Sequence, residues 1–233
     1  MRTKVLLVPL VALLAVGALT ACDPAGLPVP GPSPTVSTAA DPQPSPSDEA
    51  PSDQVEITRV LVLTESVSLG DDSGFGAESF TYADSAGDAV NVLKIAFGPS
   101  PIITDHAGGV ESGAYRSYDW GGFELREAVG TPAFPPYTPL TVVVTAGSIG
   151  GVNIFGGADT VQVGGPMSAA VAAETGHGAW TDFYQAMLDP RHIDPASVGE
   201  PGGDLQIFVA VYGPPGGGGT VTHFVSPTPN WGV

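Results

Sequence analysis

Few residues in this 233-residue chain stand at spacings that suit chemistry. Asp189-Pro190-Arg191-His192-Ile193-Asp194-Pro195 gathers two acids, a base and an imidazole in seven residues. Such a run reads either as a site for a wall-acting hydrolase, with Asp189, His192 and Asp194 as its working groups, or as a solvated loop capped by local Asx turns. Ala146-Gly147-Ser148-Ile149-Gly150 resembles a relaxed nucleophile elbow, which demands strand, sharp turn, then helix. A strand-like segment precedes it, but Gly150-Gly151 and more strand follow, so it reads as a Gly-rich β-turn.

The four histidines, His106, His177, His192 and His223, form no His-x-His or His-Glu-x-x-His pair, so the sequence gives no zinc site. Asp71-Asp72-Ser73-Gly74 lacks the alternating ligands and closing Glu of a calcium loop. Gly156-Gly157 and Gly216 to Gly219 are not followed by Lys-Ser/Thr, so neither reads as a phosphate loop. No catalytic residue, metal ligand or cofactor is assigned. Tyr115, Tyr118, Trp120 and Phe123 form the densest aromatic cluster, flanked by Arg116 and Arg126. It is either core between sheet and helix or an exposed binding surface of the kind aromatics dominate.

The elements that position these residues follow from periodicity. Val55 to Thr64 alternates as a strand, and Phe80 and Tyr82 suggest another. Asp84 or Ser85 caps a helix over 86–97, whose stripe is Ala89, Val90, Leu93 and Phe97, with Gly98-Pro99 ending it. Strands are expected at Ile102-Ile103 and over 115–126, with a bulge at Gly121-Gly122 that returns Phe123 and Leu125 to the Tyr118–Trp120 face. The second half repeats the plan: strands over 140–145, 150–154, 205–212 and 220–225, and helices over 167–173 and 179–188. The fold expected is α+β, an antiparallel sheet covered by short helices, with two tandem repeats (55–131 and 140–226) left open, and a tail at 227–233.

The N-terminus sets location. Arg2 and Lys4 precede an apolar run, Val5 to Ala18, too short to span a bilayer comfortably. Leu19-Thr20-Ala21-Cys22 resembles the lipobox of bacterial lipoproteins, which implies removal of residues 1–21 and lipidation of Cys22, the only cysteine. A diacylglyceryl group would anchor the chain firmly, since each buried methylene contributes about 0.8 kcal/mol. Residues 23–54 follow as a Pro/Ser-rich linker with nine prolines, and it cannot bury enough surface to offset its ordering entropy. Its reach is roughly 100 Å fully extended and on the order of 30 Å as a coil.

Beyond residue 21 only Arg59, Lys94, Arg116, Arg126 and Arg191 are basic, against 24 acids, a formal charge of −19. That balance excludes nucleic acid as a partner. Scarce Lys beside abundant Gly, Ala, Val and Pro, taken with the lipobox, resembles an actinobacterial envelope lipoprotein.

Val163-Gly164-Gly165-Pro166-Met167-Ser168-Ala169-Ala170-Val171 and Lys94-Ile95-Ala96-Phe97-Gly98-Pro99 resemble the helix entry and exit of small envelope domains, the β-lactamase inhibitor proteins and SmpA-type assembly lipoproteins. This resemblance implies a short antiparallel sheet under a helical layer, some members carrying it in tandem. No inhibitory loop residue can be matched. The expected function is a membrane-anchored, non-enzymatic binding module on the extracytoplasmic face. It would work with an envelope protein partner or, alternatively, as a carrier or sensor of a small ligand.

Expressed in a related bacterium, the wild-type protein should lose residues 1–21, gain a diacylglyceryl mass and partition into detergent. Cys22→Ala should do none of these, as read by intact mass and phase separation.

Overall fold

The computed structural model describes residues 56–109, 113–132, 137–198 and 205–230. All fall in one compact unit, Ala50–Val233; the signal segment, Cys22 and the linker lie outside the described residues. In chain order the elements are β1 (Arg59–Val62), β2 (Ser66–Asp71), β3 (Gly74–Thr81), α1 (Ala86–Phe97), β4 (Ile102–His106), β5 (Tyr115–Asp119), β6 (Phe123–Ala128) and β7 (Leu140–Val144). There follow β8 (Ser148–Ile149), β9 (Val152–Gly156), α2 (Met167–Ala173), β10 (Gly176–Ala179), β11 (Tyr184–Ile193), β12 (Leu205–Gly213) and β13 (His223–Pro229). Two single 3-10 turns, Pro195–Val198 and Pro215–Gly217, complete them.

The strands build two sheets. The smaller has the order β3-β2-β1-β9-β8, and the larger β10-β11-β12-β13-β7-β6-β5-β4. Only β1 with β9 runs parallel, a pairing of Arg59 with Asn153 through Val62 with Gly156. The protein is therefore sheet-rich, and the expected helical layer over one sheet is replaced by sheet facing sheet. Both sheets take strands from both halves of the chain, through β1–β9 and β7–β13, so 55–131 and 140–226 do not stand as separate repeats.

Period-two alternation explains the arrangement, because each strand offers one apolar face. Val60 and Val62 of β1, Val67 and Leu69 of β2, and Val152 and Ile154 of β9 point inward from the small sheet. Phe123 and Leu125, Leu140, Val142 and Val144, Ala186 and Leu188, Val209 and Val211, and Phe224 answer from the large one. These residues join one hydrophobic cluster. Each fully buried Val, Leu or Phe contributes about 1.5–3 kcal/mol.

The helix at 86–97 has the expected bounds. Ser85 Oγ accepts from the Asp88 amide at 3.2 Å, Asp88 sits on the positive end of the dipole, and the Gly98 amide closes on the Lys94 carbonyl at 3.0 Å. Its apolar stripe, extended by Ala86, is buried. Phe97 packs 5.1 Å from the Phe123 ring and 6.0 Å from Trp120. The second helix also has its expected bounds.

Three expectations are corrected. Residues 179–188 are not helical: 184–193 form β11, the longest strand. Tyr184-Gln185-Ala186-Met187-Leu188 carries good helix formers, but eight cross-strand positions with β12 outweigh that propensity. Gly121-Gly122 is no bulge. It is the turn of a β5–β6 hairpin, held by Asp119 Oδ1, which accepts from the Gly121 amide at 2.8 Å and the Gly122 amide at 3.2 Å. The hairpin strand near 220–225 runs to Pro229, so residues 227–229 belong to the large sheet rather than to a tail.

Glycine lets the sheets close. A Cβ at Gly156 would lie 3.0 Å from the Phe224 ring, and one at Gly157 (φ 68°) would lie 2.4 Å from Leu188 Cβ. Gly157→Ala should therefore lower unfolding free energy by about 2–4 kcal/mol, combining overpacking with a left-handed backbone. Gly164→Ala, left-handed too but facing open space, should cost only about 1 kcal/mol. Urea denaturation of both variants separates the clash from the backbone cost.

Candidate functional site

The residues joining β1 to β2 are Leu63, Thr64 and Glu65. The Leu63 carbonyl accepts from Tyr82 Oη at 3.0 Å and from Ser226 Oγ at 2.8 Å, so it binds the end of β3 and β13 together. Burial pushes the Tyr82 phenol far above its ordinary range, and the nearby Asp189 carboxylate adds to this against the Ser226 hydrogen bond. The phenol therefore stays neutral and remains a donor.

Thr64 reaches the opposite sheet. Its amide donates to Asp189 Oδ2 at 3.0 Å, and its hydroxyl donates to the Asp189 carbonyl. Asp189 can turn this way because the β11–β12 register slips between Leu188 and Arg191. At the slip Asp189 takes φ 50°, a conformation Asp tolerates, and Pro190 needs no ladder partner for a missing N–H. Arg191 Nη2 donates to Asp189 Oδ1 at 2.8 Å, and its Nε lies 3.4 Å from Glu65 Oε2.

A cleft of about 700 Å³ opens beside this junction. Thr64, Tyr82, Ile207 and Pro227 of its lining are buried, and the more exposed lining residues are Glu65, Thr81, Ala83 and Thr138, with Ile193, Ser197 and Val198. The last three are placed by Asp194, whose Oδ1 accepts from the Ala196 amide at 3.0 Å and whose carbonyl accepts from Ser197 Oγ at 2.7 Å. The volume falls within the range of small-molecule sites, with an apolar body and a few polar groups.

No His, Cys or Lys lines the cleft among the described residues. The Thr64, Thr138 and Ser197 hydroxyls donate to the carbonyls of Asp189, Leu140 and Asp194, and none of these bonds joins a nucleophile to a base. Among the described residues no group of three His, Cys, Asp or Glu is placed to hold a metal.

The structure gives each residue of the 189–195 run its own partner. Asp189 braces the β1–β2 connection, Asp194 caps a turn, and His192 stands opposite Gln206 in the β11–β12 register. Ser148 is exposed on β8, with strand and not helix after it.

The four aromatics do not form one exposed surface. Phe123 is fully buried, and Tyr118 and Trp120 pack against the core. Trp120 Nε1 donates to the Pro99 carbonyl at 3.1 Å, and Tyr118 Oη donates to Glu127 at 2.9 Å. Tyr115 lies on the other face of β5, stacked on His106 at 4.3 Å with the Arg126 guanidinium 4.9 Å from its ring.

One pairing escapes sequence reading. His106 Nε2 lies 2.9 Å from Ser117 Oγ across β4–β5. Ser117 is buried, and the neighbouring acid, Asp105, is turned to Arg116 at 2.7 Å, so the pair has the look of a sheet contact rather than a triad. The cleft escaped too, because its lining is drawn from six separated stretches of chain.

No protein-family model, no curated protein and no solved structure matches this chain.

Asp189→Ala leaves the Thr64 amide without its acceptor and should lower stability by about 1–3 kcal/mol. Asp189→Asn keeps an acceptor and the backbone tolerance, and should retain most of it. Chemical denaturation of the two variants is the measurement.

Proposed function

We propose that this protein is a lipid-anchored, extracytoplasmic, non-enzymatic module that captures a small ligand in the cleft between Glu65 and Ser197. One observation carries the reading: a ligand-sized cleft in which the Thr64, Tyr82, Thr138 and Ser197 hydroxyls bond carbonyls and whose walls come from both sheets. The Leu63–Tyr82–Ser226 and Thr64–Asp189 bonds hold those walls in place before any ligand arrives, which lowers the ordering cost of binding.

Location rests on the N-terminal sequence. A diacylglyceryl group on Cys22 ties the chain to the membrane, and the Pro-rich linker carries the domain into the envelope. Capture of a small ligand is preferred to docking of an envelope protein through the Tyr115–Phe123 segment, because the large rings of that segment serve the core.

A thermal-shift panel of small metabolites and metal ions tests the assignment. A ligand at a hundredfold excess over its Kd adds about 2.7 kcal/mol, which for a domain of this size raises Tm by roughly 5–10 °C. Ala83→Trp, at an exposed position on the cleft wall, should remove that shift while leaving the unliganded Tm nearly unchanged. A panel that is flat for the wild type counts against ligand capture.

A further inference from the structure

We infer that the cleft selects a ligand bearing a primary ammonium group on an aliphatic arm. This rests on the cleft being a ligand site and names the class of ligand it takes. The first argument is hydrogen-bond polarity. Thr138 and Ser197 direct their hydroxyl protons to the Leu140 and Asp194 carbonyls, at 3.3 and 2.7 Å, so what they present to the cleft is lone pairs. Glu65, exposed at the mouth, is an acceptor as well. Tyr82 Oη spends its proton on the Leu63 carbonyl inside the wall. The Thr81 hydroxyl in the same lining can serve either way, so acceptors outnumber donors at the mouth, which favours a ligand that supplies protons.

Charge is the second argument. Glu65 and Asp189 share a single guanidinium, that of Arg191, so these three groups together carry one net negative charge. Arg191 lies nearer Asp189, at 2.8 Å, than Glu65, at 3.4 Å, so the Glu65 carboxylate keeps most of its capacity to accept. The other arginines are engaged elsewhere. Arg116 holds Asp105, Arg126 holds Glu124, and Arg59 lies over the Phe75 and Phe155 rings at 4.7 and 4.8 Å. None is placed to receive an anion in the cleft, and the chain's large negative charge repels one.

The third argument is the apolar lining. Ile207 and Pro227 are buried in it, and Ile193 and Val198 extend that apolar surface. An alkyl arm covers this surface while its ammonium head remains at the acceptor-lined rim, the division seen when a lysine side chain snorkels.

The test is calorimetry at low ionic strength with 1-hexylammonium, 1-hexanol and hexanoate, on the wild type, Glu65→Gln and Ala83→Trp. The expected order is hexylammonium, then hexanol, then hexanoate. Glu65→Gln, at an exposed site, should weaken hexylammonium about fivefold and leave hexanol unchanged. Added salt should weaken the wild type toward the Glu65→Gln value. Glucosamine and Nα-acetyl-lysine methylamide show whether the ammonium arrives on a sugar or on a peptide side chain, and preference for either over its N-acetylated form supports the assignment. If hexanol or hexanoate binds as well as hexylammonium, or Glu65→Gln changes nothing, the ammonium class is wrong while the cleft remains a binding site. If no compound binds the wild type and Ala83→Trp is indistinguishable from it, the ligand-capture reading fails with it.

Discussion

Two short stretches, Leu63-Thr64 of the small sheet and Asp189 of the large one, hold the sandwich together at its working end. The Leu63 carbonyl takes hydrogen bonds from Tyr82 and Ser226, and Thr64 bonds Asp189 through both its amide and its hydroxyl. Thr64, Tyr82 and Ser226 are buried, so water offers no substitute partner. Each of these bonds fixes one wall of the cleft relative to another. Shift Asp189 and Thr64 loses two partners; shift Ser226 and the adjoining Pro227 leaves the lining. The slip in the β11–β12 ladder is what turns Asp189 toward Thr64, so a local irregularity in one sheet sets the geometry between both.

Packing imposes the complementary constraint. Where β9 meets β13 and β11, the chain has Gly156 and Gly157, and the space a side chain would take is filled by Phe224 and Leu188. Close approach there keeps the two sheets within reach of the cross-sheet hydrogen bonds. The helix at 86–97 contributes at the other flank, where Phe97 covers Phe123 and Trp120. Tyr118, Trp120 and Phe123 of the aromatic cluster are drawn inward here, which is the core alternative for those three residues.

The acidity of the chain acts locally as well as globally. With five basic residues beyond the signal segment, each arginine finds an acidic or aromatic partner, and the cleft is left with acceptors. An acceptor-lined surface in a chain of this charge suits donor-bearing groups better than phosphates or carboxylates.

What the sequence determined by itself is what depends on contiguous residues. The charge, the apolar run, Cys22 and the proline-rich stretch are plain in the residues themselves, and both helices with their bounds were legible because the signals that set them are local. Most strands were legible from alternation. The tertiary structure decided the rest. It made 184–193 a strand against its helix-forming composition, because β12 supplies a ladder that no local window contains. It turned Gly121-Gly122 into a hairpin, because Asp119 caps the two amides. It set sheet against sheet, and it gathered Glu65, Thr138, Ser197 and Ile207 around one cleft. Those residues are far apart along the chain, and only the pairing of β1 with β9 and of β7 with β13 brings them together.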